Sequence, residues 1–138
     1  MKGNSTTDSS IDQVEPASVL LVDDLSSGRR TLATLLEMEG YLVSQADCGE
    51  AALIAIEESK PDYVLLDIGL PDMSGYEVAS SLRSNVDIEP KPTLIALTGH
   101  CQPSDIQQAI DAGFDHHVTK PIDINKLLGV MKGESQKA

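Results

Sequence analysis

Ser18-Val19-Leu20-Leu21-Val22-Asp23-Asp24 is an unbroken apolar run that stops on two acids. A strand with one wet face alternates apolar and polar residues, whereas a strand covered on both faces does not. The run therefore reads as a central strand of a parallel sheet, its carboxyl end marked by Asp23 and Asp24. The form recurs downstream. Ser26 or Ser27 offers an N-cap, and Leu32, Leu35, Leu36 and Met38 follow at helical spacing until Gly40. Residues 41–46 read as a second strand and 50–58 as a helix with Ala52 and Ile56 inward. After Pro61, residues 62–66 form a third strand that ends at Asp67. A loop with Pro71 and Gly75 leads to a helix over 76–83. Beyond Pro90 and Pro92, residues 93–97 make a fourth strand ending at Thr98. Pro103 opens a helix that closes at Ala112-Gly113. A short strand, 116–119, ends at Lys120-Pro121, and a helix follows over 124–131.

Strict alternation of this kind predicts an α/β fold: a five-stranded parallel sheet, doubly wound, in (βα)5 order. At 138 residues the chain has room for one such domain. Residues 17–133 are expected to form it, with 1–16 a polar tail or linker and 134–138 a flexible C-terminal tail. Ten Lys and Arg against 22 Asp and Glu give a net charge of −12, which argues against a nucleic-acid or anionic-membrane surface. No apolar run approaches the roughly 20 residues of a membrane span, and residues 1–16 lack a signal-peptide core. Cys48 and Cys101 have no paired spacing, so neither a disulfide scaffold nor a zinc site is expected. The cytoplasm is the expected compartment.

In open parallel sheets, function collects at the carboxyl ends of the strands. Those ends carry Asp23 and Asp24, Asp67, Thr98 and Lys120. Clustered carboxylates repel one another and call for a hard cation such as Mg²⁺. A lysine adds a charge for an anion, and a hydroxyl adds a directional hydrogen bond. These are the parts for phosphoryl transfer onto a carboxylate.

Four segments carry a resemblance: residues 19–24, residues 64–77 (Val64-Leu65-Leu66-Asp67-Ile68-Gly69-Leu70-Pro71-Asp72-Met73-Ser74-Gly75-Tyr76-Glu77), Ile95-Ala96-Leu97-Thr98-Gly99 and Val118-Thr119-Lys120-Pro121. In this order and spacing the chain resembles a response-regulator receiver domain of two-component signalling, a flavodoxin-like fold, in the style of receivers of hybrid histidine kinases. The resemblance implies that Asp67 is the phosphoacceptor, phosphorylated from a histidine kinase or histidine phosphotransfer domain. Mg²⁺ would be held by Asp23 (largely through water), Asp24, Asp67 and the backbone carbonyl of Gly69. Thr98 would hydrogen-bond the phosphoryl group. Lys120 would pair with it, and with Asp67 beforehand, and the Lys120-Pro121 bond would be cis. Phosphorylation would then switch a partner-binding surface. Such a domain catalyses only its own phosphorylation and dephosphorylation and is not a turnover enzyme.

One position departs from the family's common pattern. Where Tyr or Phe often stands three residues before the lysine, this chain has His117, readable as a titratable switch beside Thr98 or as a plain surface residue. The resemblance implies that the position of His100, two residues after Thr98, flanks the phosphoryl group, where His100 would influence attacking water. Arg29 and Arg30 read as a solvated face rather than a phosphodonor dock, and Met38, Met73 and Met131 as packing. Two alternatives keep the architecture: a metal-dependent aspartyl-phosphate phosphatase, which would want Asp-x-Asp after the first strand, and a non-signalling flavodoxin-like binding module, whose FMN phosphate Asp23 and Asp24 would repel. Whether the chain acts alone or as one module of a longer kinase, and which output it serves, stay open.

Overall fold

The computed structural model describes residues 16–99 and 102–132. Five strands and five helices alternate: β1 (Ser18–Val22), α1 (Ser26–Met38), β2 (Leu42–Ala46), α2 (Gly49–Ser59), β3 (Tyr63–Asp67), α3 (Gly75–Ser84), β4 (Thr93–Thr98), α4 (Pro103–Ala112), β5 (His116–Thr119) and α5 (Ile124–Met131). All strand pairs are parallel, in the order β2-β1-β3-β4-β5. The expected doubly wound sheet is therefore present. His100 and Cys101, like the segments 1–15 and 133–138, lie outside the described residues.

Strand period two divides the core into two layers. Leu20, Val22, Val64, Leu66, Leu94 and Ala96 face one way and meet Ala52 and Ile56 of α2, Val78 and Leu82 of α3, and Ala109 of α4. Val19, Leu21, Leu65, Ile95, Leu97 and Val118 face the other way, onto Leu32 and Leu36 of α1 and Leu127 and Met131 of α5. Most of these side chains are fully buried, each worth about 1.5–3 kcal/mol relative to exposure. The two-sided burial is what makes the central strands continuous apolar runs. β2, at the edge, is the exception, with Leu42 59% exposed.

Three local expectations are corrected. The N-cap of α1 is Leu25, not Ser26 or Ser27, and no side chain caps it. The Leu25 amide instead donates to Asp23 Oδ1 at 3.0 Å, so the acid outcompetes the serines. Met38 is 76% exposed rather than packed, because it lies two residues past the buried Leu36 and hence across the helix. Arg29 is half-buried rather than solvated. Its Nη1 donates to the Asp23 carbonyl at 2.8 Å and its Nε to Gln45 Oε1 at 2.9 Å, tying α1 to β1 and β2.

Candidate functional site

The strand order reverses between β1 and β3: the chain leaves β1 for one side of the sheet and β3 for the other. Register then sets the chemistry. Val22 pairs with Leu66, so the next residues, Asp23 and Asp67, emerge level with each other at the carboxyl edge. On the far side of β3, Asp67 pairs with Leu97, which places Thr98 one step beyond it. Thr98 pairs with Thr119, and Lys120 follows. The Lys120 amide donates to the Thr98 carbonyl at 2.7 Å. Four of the expected residues thus meet because three strand pairs hold one register. The Lys120-Pro121 peptide is cis, as is Glu89-Pro90.

Carboxylate oxygens of Asp23, Asp24 and Asp67 lie within 4.8 Å of one another. Asp23 and Asp67 are 9% and 8% exposed, while Asp24 stands open to solvent. Lys120 Nζ lies 3.3 Å from Asp67 Oδ1 and 3.4 Å from Asp23 Oδ2, so one ammonium serves two acids. The Gly69 amide donates to Asp67 Oδ1 at 3.3 Å. Burial pushes the Asp67 carboxyl above its ordinary range, and the neighbouring Asp23 adds to that. Lys120 and the Gly69 amide pull it down without cancelling the rise. Three hard oxygen donors, one of them open to water, suit Mg²⁺. The donor set therefore fits the cation that the sequence implies.

The loop after Asp67 folds back on itself. Gly69 bridges Ser74, and the Gly75 amide donates to the Ile68 carbonyl at 2.8 Å. Ser74 then caps α3: its hydroxyl accepts from Tyr76, and Glu77 Oε1 accepts from the Ser74 amide. A Cβ on Gly75 would lie 2.6 Å from the Asp67 carbonyl oxygen, so only glycine lets the loop close this tightly.

Thr98 and His117 line one small cavity with Ile68, Tyr76, Ile106 and Ala109. His117 is half-buried and lines this cavity. Asp105, in the first turn of α4, borders the same space. On the opposite side of the acidic cluster a groove of about 510 Å³ opens between the start of α1 and the loop after β5. Leu25, Leu32, Leu35 and Ile122 floor it, and Asp23 and Lys120 stand at its end.

The family profile of the response regulator receiver domain matches residues 19–132. The chain belongs to this family. It is a receiver domain of two-component signalling, which excludes a flavodoxin-like module without a signalling role. The receiver is 40% identical over 114 residues to the transcriptional regulatory protein KdpE of Mycobacterium tuberculosis, covering 83% of this chain and 49% of that one. It is 36% identical over 117 residues to the response regulator MprA of Mycolicibacterium vanbaalenii, covering 85% and 49%. The chain thus spans about half the length of these relatives. Among solved structures it superposes on the chemotaxis response regulator CheY4 of Vibrio cholerae with a TM-score of 0.80 at 27% identity, covering 86% of this chain and 98% of that one. A CheY-like receiver from Methanospirillum hungatei gives 0.78 at 29%, covering 88% and 95%. Receivers of this family are signalling modules that work with histidine kinases and downstream effectors, and they bind Mg²⁺ at an acidic pocket. Among the described residues no helix is long and apolar enough to cross a membrane.

Two contacts around the site escaped the reading of the sequence. Arg29 supports the backbone of Asp23 from behind. Asp72 accepts from the amides of Gly49 and Glu50 at 2.7 and 3.0 Å, outside the acidic cluster altogether. A signal for Asp72 exists in hindsight. Cys48 precedes α2 where Ser, Thr, Asp or Asn is the usual cap, so the cap had to come from elsewhere.

Proposed function

We propose that residues 17–133 form the receiver unit and that it takes one phosphoryl group from a phosphohistidine donor onto Asp67 with Mg²⁺. The observation that carries this reading is the Asp67–Lys120 pair at 3.3 Å, set beside two further carboxylates at the sheet's switch point. An Asp67 oxygen attacks phosphorus as the P–N bond to the donor imidazole breaks, and the imidazole leaves neutral after taking up a proton. Lys120 shifts from Asp67 toward the phosphoryl oxygens. Asp23, Asp24, Asp67 and the Gly69 carbonyl would hold the cation, which would supply charge neutralisation for those oxygens. Thr98 donates its hydroxyl to the phosphoryl group, and His117 follows into the space Thr98 leaves. Water attacking the phosphorus then breaks the P–O bond to Asp67, releases inorganic phosphate and restores the carboxylate, so the domain dephosphorylates itself.

The donor is a histidine kinase or histidine phosphotransfer domain, seated in the groove of Leu25, Leu32, Leu35 and Ile122. That groove delivers a partner's imidazole to the edge where Asp23 and Lys120 stand. The receiver unit contacts protein rather than nucleic acid or membrane, in keeping with the net charge of −12 of the full chain, and works in the cytoplasm. The test is acetyl phosphate with Mg²⁺, read by intact mass. One added phosphoryl group in the wild type and none in Asp67→Asn is expected. Undiminished uptake by the variant would overturn the assignment.

A further inference from the structure

α2 is capped from a distance. Its first amides, of Gly49 and Glu50, donate to Asp72 Oδ1 and Oδ2, on a loop 22 to 23 residues downstream. Its own preceding residue, Cys48, makes no side-chain cap. The two amides hold the Asp72 carboxyl below the usual carboxylate range. Packing doubles the tie. A Cβ on Gly49 would lie 2.4 Å from Met73 Cγ and 3.2 Å from Val78 Cγ2, so Met73 seats directly against the helix start. Asp72 and Met73 both belong to the closed turn that begins at Asp67 and returns at Gly75. Gly69 lies in the same turn. A turn held at its base by the Gly75–Ile68 hydrogen bond and at its tip by α2 has no free end.

We propose that Asp72 is a positioning residue of the cation site. By anchoring the turn to α2 it presets the Gly69 carbonyl for Mg²⁺, and through the same two hydrogen bonds it makes the first turn of α2 respond to the cation. The inference rests on the reading of Asp23, Asp24, Asp67 and Gly69 as the metal site. Asp72 does not touch the metal. Its removal therefore raises the cation's dissociation constant and leaves the chemistry at saturation intact.

The experiment is an Mg²⁺ titration of wild type, Asp72→Ala and Asp72→Asn, followed by amide NMR. The dissociation constant should weaken about tenfold in Asp72→Ala, the low end of what an outer-shell partner of a metal ligand is worth. Asp72→Asn keeps one acceptor oxygen and should fall between. At saturating Mg²⁺ the phosphorylation rate of Asp72→Ala with acetyl phosphate should return to that of wild type, which a merely unstable variant would not do. In wild type the Gly49 and Glu50 signals should move with the titration. Should Asp72→Ala fail to fold, Asp72→Asn and the wild-type signals decide. An unchanged dissociation constant in the variants, or silent Gly49 and Glu50 signals while those of Gly69 move, would overturn the proposal alone. A wild type indifferent to Mg²⁺ would overturn it together with the metal site it rests on.

Discussion

Lys120 Nζ stands between two carboxylates, 3.3 Å from Asp67 Oδ1 and 3.4 Å from Asp23 Oδ2. It occupies, in charge if not in position, the place of the cation. Lysine and Mg²⁺ are therefore rivals for the same oxygens until a phosphoryl group gives the lysine another partner. Lys120→Met should bind Mg²⁺ more tightly than wild type while phosphorylating poorly. Its metal-free form should lose about 1–2 kcal/mol, less than the ~3–5 for breaking a fully buried pair, because the ammonium is 35% exposed. Calorimetric titration and melting check both halves, and weaker Mg²⁺ binding would contradict the rivalry.

Asp67 titrates against the fold. Burial, then Asp23, lift its folded-state pKa above the unfolded value of 3.8. A raised acid contributes stability that is fully present below the unfolded pKa and is lost as pH rises through the folded one. Asp67→Asn removes the buried charge. Without metal it should melt higher than wild type at about pH 7, and the advantage should vanish on acidification below about pH 4. Scanning calorimetry in chelator across that range reads the difference; a gap independent of pH would refute the cause.

Asp24 offers the exposed oxygen of the cluster, so its removal relieves little repulsion but costs a ligand. Asp24→Ala should melt slightly above wild type in chelator and fail to gain from Mg²⁺. Wild type should gain about 2.7 kcal/mol at one hundred times its dissociation constant. An Mg²⁺ response equal in both proteins would remove Asp24 from the ligand set.

Two glycines of the turn after Asp67 should respond in opposite ways. Gly75→Ala drives a methyl into the Asp67 carbonyl and the Ile68 backbone, neither of which can swing aside. Overpacking of this kind costs about 1–3 kcal/mol, and acceptor geometry should suffer with it. Nothing lies within 4 Å of a Cβ on Gly69. Gly69→Ala should stay within about 0.5 kcal/mol of wild type in denaturant titration. Equal costs at the two positions would show that the close approach at Gly75 is not what holds the loop.

Thr98 and His117 share a cavity whose far wall is α4. A beryllofluoride mimic of the phosphoryl group should shift the amide signals of Gln107, Ile110, Asp111, His117 and Lys126. Thr98→Ala should still take up a phosphoryl group yet shift these signals less. Equal shifts in the two proteins would break the link between Thr98 and this face.

The alternation of strands and helices in a parallel sheet and the meeting of Asp23, Asp67, Thr98 and Lys120 were legible in the sequence, because two-sided burial writes itself as continuous apolar runs with polar stops. What stayed hidden depends on partners far along the chain. Nothing local to Ser26 and Ser27 reveals that the Asp23 carboxylate takes the Leu25 amide. Nothing near Arg29 names Gln45, and Asp72 reads as a turn residue until α2 is placed beside it. Met38 lies two residues past Leu36, about half a turn round the helix, and so falls on the opposite face. These are facts of tertiary geometry, and periodicity carries only facts of one element.

Arg83 closes a different connection. From α3, its Nε donates to the Gly113 carbonyl and its Nη2 to Asp115 Oδ2, both at 2.8 Å, while Asp115 Oδ2 also takes the Leu94 amide. The C-terminal end of α4 is thereby riveted to α3 and the sheet. Its first turn, about 15 Å of helix away, borders the space shared by Thr98 and His117. Such a helix is a lever with its fulcrum at Gly113. A movement at Thr98 would therefore meet α4 at the end away from this anchor, and its sweep would grow toward Pro103.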